Sequence, residues 1–112
     1  MIYEGRIAIT IPGKEELFLN RVMKDYFPMV KKHGGNPIGV FQTVIGESDE
    51  VYYVLGFRDL AHREKVFKSM RADAEYLKLA ELWGKEPSIS NLSSKILKPV
   101  PANFLSSAAG AP

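Results

Sequence analysis

The chain has 112 residues, enough for one domain that buries a modest core of its own. Its 15 basic side chains are interleaved with 13 acidic ones, and a net charge of +2 gives none of the clustered cationic face that a nucleic-acid reader carries. The lack of cysteine removes disulfides, thiolate catalysis and Cys-ligated zinc together.

Residues 2–11 alternate as a strand, with Tyr3, Gly5, Ile7, Ile9 and Ile11 on one face and Glu4 and Arg6 on the other. Pro12-Gly13 is turn chemistry. Residues 14–33 read as a helix whose apolar positions, among them Phe18, Val22, Tyr26 and Val30, fall at spacings of three and four. Pro28 interrupts that pattern and predicts a kink or break. Lys31, Lys32 and His33 suit the negative end of the helix dipole, and Gly34 suits a left-handed cap. Strands over 38–46 and 50–58 follow, joined as a hairpin through "GESDE". Asp59 is placed to cap a helix over 60–71, and Asp73 to cap a shorter one carrying Tyr76, Leu77, Ala80 and Trp83. A serine-rich strand spans about 88–97. The division is a domain over 1–98 and an irregular arm over 99–112, since "PVPANFLSSAAGAP" has no periodicity. No run nears the roughly 20 apolar residues of a membrane span, and nothing near the start resembles a signal peptide, so a cytoplasmic location is expected.

Strand, helix, strand, strand, helix, strand is the order of a ferredoxin-like α+β fold: a four-stranded antiparallel sheet with its helices on one face. The uncovered face of such a sheet is ordinarily polar. Here "IGVFQTVI" and "VYYVLGF" are largely apolar on both parities, which predicts that a second copy of the chain covers the other face. The expected assembly is a homodimer with sheets face to face. Glu4 and Arg6 then have two placements. Either they lie on the enclosed face and line a polar cavity within the dimer, or the first strand is a sheet edge where both are solvated.

Chemistry-bearing motifs are few. His33 and His62 are the sole histidines. For His33 the cap-and-dipole role outweighs that of an axial haem ligand, and no His–carboxylate cluster suggests a protein-bound metal. There is no glycine-rich phosphate loop and no nucleophile elbow. Glu15-Glu16 and Asp49-Glu50 sit at element ends as caps and turn residues. What remains is a set of polar groups on apolar strands, which need partners if buried. Arg6 and Arg58 are candidates to clamp a carboxylate, with Gln42 and Tyr53 as further polar contacts and Trp83 as part of an aromatic wall. The predicted ligand is a small, mostly apolar molecule bearing an acidic or carbonyl group. No cofactor and no catalytic residue is assigned.

The opening "MIYEGRIAITIPGKEELFL" resembles the N-terminal signature of the NIPSNAP family. "VKKHGG", "VYYVLGFRDLAHRE", "ADAEYLKL" and "SSKILKPVP" are similar, in order and spacing, to later segments of that family, so the likeness covers about residues 1–101. The resemblance implies a dimeric α+β barrel without an established reaction. It also implies kinship of fold with cofactor-free monooxygenases and haem-binding or haem-degrading proteins, whose cavity lies between sheet and helices. A cofactor-independent or haem-linked monooxygenase and a structural adaptor are thus the alternatives to simple ligand binding. Tyr53 stands where many members carry histidine, Leu55 where many carry tryptophan, and Tyr76 replaces the tryptophan of the "D-P-E-W" segment. Gly5 and Ala74 depart from the pattern as well.

Overall fold

A computed structural model describes residues 1–101. Its strands are β1 (Ile2–Thr10), β2 (Asn36–Gln42), β3 (Glu50–Phe57) and β4 (Ile89–Leu97). They form one antiparallel sheet in the order β2-β3-β1-β4. The helices are α1 (Glu15–Arg21), α2 (Phe27–Lys32), α3 (Leu60–Arg71) and α4 (Ala74–Lys85), with a π-helical stretch at Val22–Tyr26 between the first two. This is the ferredoxin-like arrangement that the element order predicts.

The predicted disruption at Pro28 takes the form of that π-helical stretch. Proline lacks an N–H and its ring collides with the carbonyl one turn back. The backbone answers by widening that turn, and the Phe27 N–H bonds to the Val22 carbonyl, five residues earlier. The helix therefore continues to Lys32 and keeps Tyr26, Met29 and Val30 buried against the sheet. At its end Gly34 takes φ 94°, and Gly35 is so enclosed that a Cβ there would meet Val30 Cγ1 at 2.6 Å.

The hairpin differs from the sequence expectation. β2 begins earlier, at Asn36, and stops at Gln42, which leaves residues 43–49 as a longer connection. Pro37 is tolerated because β2 is an edge strand, and the register shifts just after it. Val44 and Ile45, expected within the strand, lie in the connection and are 94% exposed. Asp59 and Asp73 cap their helices as predicted, accepting from the N–H groups of His62 and Glu75.

The placement of the strand faces requires a correction. β1 is central, hydrogen-bonded to both β3 and β4, so it is not an edge. Glu4, Arg6, Ala8 and Thr10 face the helices, together with Val51, Tyr53, Leu55 and Phe57 of β3. The charged face is enclosed by the chain's own helices, and the apolar face of Tyr3, Ile7 and Ile9 is the uncovered one. Alternation fixed which residues share a face but not which face the helices take. Glu4 and Arg6 tolerate burial because they bond to each other and to helix side chains. On the uncovered face Tyr52 and Phe41 stand opposite each other, the latter 56% exposed, and Tyr3, Ile38 and Gly56 lie together. The predicted arm begins with irregular chain after Leu97, and from residue 102 onward it falls outside the described residues.

Candidate functional site

A network of charges and phenols is buried between the helices and the middle of the sheet. Glu4, 1% exposed, uses both carboxylate oxygens: Oε2 accepts from Arg6 Nε at 2.9 Å and Oε1 from Arg63 Nε of α3 at 2.6 Å. Arg6 Nη1 donates to Tyr26 Oη at 2.8 Å and to Tyr53 Oη at 3.3 Å. The guanidinium also lies 5.4–5.7 Å from the ring centres of Tyr26, Tyr53 and Phe67, within cation–π range. Arg63 covers Phe67 at 4.9 Å and reaches the exposed Glu64 at 3.3 Å.

The electrostatic consequences follow from this geometry. Burial disfavours the Glu4 carboxylate, but the bonds from Arg63 and Arg6 outweigh it and hold the group below its ordinary pKa. Burial likewise opposes charge on Arg6, yet the phenolic oxygens of Tyr26 and Tyr53 and the carboxylate of Glu4 hold it above its usual value. Both phenols are pushed up by burial against the partial opposition of Arg6, Tyr26 well beyond the tyrosine range. Glu4 therefore stays ionised at neutral pH and both tyrosines keep their protons.

Tyr26 and Tyr53 also form part of the wall of a cavity of about 320 Å³ between the first helix, α4 and the sheet. Phe18, Tyr76, Trp83 and Leu92 supply apolar surface. The aromatic rings meet at tilted or edge-on angles, with Tyr26 contacting both Tyr53 and Trp83 and Tyr76 contacting Trp83. Arg21 and Ser88 add polar lining to the Tyr76 hydroxyl and the Trp83 indole N–H; Arg21 Nη1 donates to the Glu86 carbonyl at 2.6 Å and to Ser88 Oγ at 3.4 Å.

Of the five residues the sequence singled out, the fold brings three together. Tyr53 and Trp83 line the cavity, and Arg6 lies behind the tyrosine oxygens. Gln42 sits at the end of β2 and donates to Glu15 Oε1 at 3.0 Å on the exposed surface. Arg58 follows β3 at the opposite end of the sheet, exposed beside His62 and Asn36. Tyr26, Arg63, Arg21 and Ser88 were not singled out. Tyr26 carried a signal, since a tyrosine in a buried helical stripe needs a partner for its hydroxyl; Arg63 looked like any exposed helix arginine. His33 serves structure: Nδ1 lies 2.6 Å from Ser69 Oγ and Nε2 2.7 Å from Asp73 Oδ2, so both ring nitrogens are engaged. Among the described residues no group of three His, Asp or Glu side chains is arranged to hold a metal, and no helix is long and apolar enough to cross a membrane.

Comparison with known proteins places the whole arrangement. The NIPSNAP family model matches residues 3–103. The chain belongs to the NIPSNAP family. A NIPSNAP family protein of unknown function from Agrobacterium tumefaciens is 26% identical and superposes with a TM-score of 0.78 over 89% of this chain and 88% of that one. An uncharacterised NIPSNAP domain protein from Burkholderia xenovorans is 19% identical, with a TM-score of 0.79 over 89% and 95%. A putative antibiotic biosynthesis monooxygenase from Nitrosomonas europaea shares the fold at 10% identity, with a TM-score of 0.64 over 90% and 100%. No curated protein matches the chain. This NIPSNAP chain keeps the family fold and carries the Arg6–Tyr26–Tyr53 cluster beside its cavity.

Proposed function

We propose that this NIPSNAP chain acts as a homodimer that binds a small, mostly apolar molecule in the cavity walled by Tyr26, Tyr53 and Trp83. The observation that carries the reading is the cavity itself: about 320 Å³, rich in aromatic surface, with polar groups confined to a few positions. Binding sites for small molecules have this size and this balance of apolar wall and sparse polar anchor. The dimer rests on the uncovered sheet face, where Tyr3, Ile7, Phe41 and Tyr52 form an apolar surface that a second copy would bury. The polar anchor lies beside β1 and the π-helical stretch, with Arg6 acting through the tyrosines rather than as a direct clamp.

Native mass spectrometry of the freshly purified protein tests both parts. The expected spectrum is a dimer carrying a discrete additional mass, or one that gains such a mass from a panel of aromatic compounds. A cavity-filling Leu92→Trp variant should keep the dimer and lose the added mass. A monomeric wild type would overturn the dimer, and undiminished ligand mass on the filled variant would overturn the site.

A further inference from the structure

We propose that the polar end of the cavity is an oxyanion site, and that the ligand it takes is a phenol or enol bound as its conjugate base. The inference rests on the cavity being the binding site and goes on to the chemical class and ionisation of what it binds.

The hydrogen bonds around Arg6 carry the argument. Tyr26 Oη and Tyr53 Oη both accept from Arg6 Nη1, at 2.8 and 3.3 Å, and neither hydroxyl donates to an acceptor among the described residues. Both tyrosines are more than nine-tenths buried. A phenol whose oxygen is engaged by a cation still has one O–H to give. The wall next to Arg6 thus presents two donors polarised by the same guanidinium and no carboxylate or amide acceptor.

The remaining lining agrees. Arg21, Ser88, the Tyr76 hydroxyl and the Trp83 indole N–H are its other polar groups, and no carboxylate, amide or imidazole lines it. Behind the tyrosines, one carboxylate, Glu4, is shared by two guanidinium groups, Arg6 and Arg63. That leaves one positive charge in excess, with Arg6 itself only 14% exposed and Glu64 too exposed to neutralise it fully. A single negative oxygen beside the phenols supplies what the cluster lacks.

The same bonds favour a single oxygen over a carboxylate. Arginine grips a carboxylate through two parallel N–H groups. Arg6 Nε is taken by Glu4, and the two N–H groups of Nη1 by the tyrosines, so each two-pronged edge has lost a member. Two O–H groups converging from separate tyrosines suit one acceptor atom, and the aromatic wall suits a flat ring attached to it. The ligand proton leaves to bulk water on binding, so no further reactant is required.

The test uses 4-nitrophenol with the full-length protein, at a pH below the probe's own pKa. Its neutral and ionised forms absorb differently, so the spectrum of the bound probe reports its charge. Trp83 is the only tryptophan of the chain and lines the cavity, so a change in its fluorescence reports occupancy, separately from the absorption band that reports ionisation. The expected result is a Trp83 response together with the phenolate band, the anion binding at least about tenfold tighter than the neutral phenol, a one-unit fall in the probe's apparent pKa. Tyr53→Phe and Tyr26→Phe should each diminish that preference while the probe still reaches Trp83. A Trp83 response with a neutral probe spectrum would overturn the oxyanion site and leave the cavity reading standing. Tighter binding of benzoate than of the phenolate would overturn the phenol or enol assignment in favour of a carboxylate. No Trp83 response to any aromatic probe would overturn the cavity reading itself.

Discussion

Replacing Glu4 with glutamine isolates the energetics of the buried network. The side chain keeps its shape and loses its charge. One of its two terminal positions becomes an N–H₂ group facing an arginine N–H, because both oxygens of Glu4 now accept from guanidinium groups at 2.9 and 2.6 Å. Breaking a buried ion pair by removing one partner costs about 3–5 kcal/mol, since the orphaned charge stays in a poor solvent. The lower end applies here: Arg63 is a quarter exposed and turns toward water, whereas Arg6 is held by two tyrosines and three rings. A loss of about 3 kcal/mol corresponds to a fall in Tm of about 12 °C or more for a domain of this size. Urea unfolding at fixed protein concentration should show the midpoint dropping with the slope unchanged. If Glu4→Gln unfolds within about 0.5 kcal/mol of the wild type, the range of an ordinary surface substitution, Glu4 and the two arginines are not energetically coupled in the folded chain.

Three further outcomes follow from the same packing. The two guanidinium groups hold the Glu4 pKa below its ordinary value of 4.5, so its contribution is fully present above that pH and is lost as pH falls through the lower folded-state value. The wild type should lose stability more steeply than Glu4→Gln on acidification below pH 4.5, and parallel acid limbs would count against it. Gly35→Ala should destabilise by about 1–3 kcal/mol, as its Cβ would stand 2.6 Å from Val30 Cγ1 and 3.2 Å from Phe57 Cε1; an unchanged urea midpoint would show that the α2–β2 junction yields easily. Ile7→Glu places a charge on the uncovered sheet face opposite Tyr52 and, on the proposed face-to-face dimer, should shift sedimentation to monomer with an unchanged far-UV spectrum. A dimer of undiminished strength would move the interface elsewhere.

Element order, and with it the sheet, is legible along the chain because periodicity, turn residues and caps are local. Asp59, Asp73, Gly34 and Pro28 each act within one or two turns of their own position. Alternation also grouped Glu4 with Arg6 and set them apart from Ile7 and Ile9. Which of those faces lies beneath the helices is settled by long-range packing. That choice depends on Arg63, 59 positions from Glu4, and on Tyr26, 20 positions from Arg6, arriving at hydrogen-bonding distance. The site divides the same way. Arg6, Tyr53 and Trp83 were visible as polar or aromatic exceptions in their segments, and Gln42 and Arg58 looked equally exceptional until the sheet placed them at its outer strand and its far end. A buried ion network and a cavity are properties of side chains brought together from distant segments, and no short window of sequence contains them.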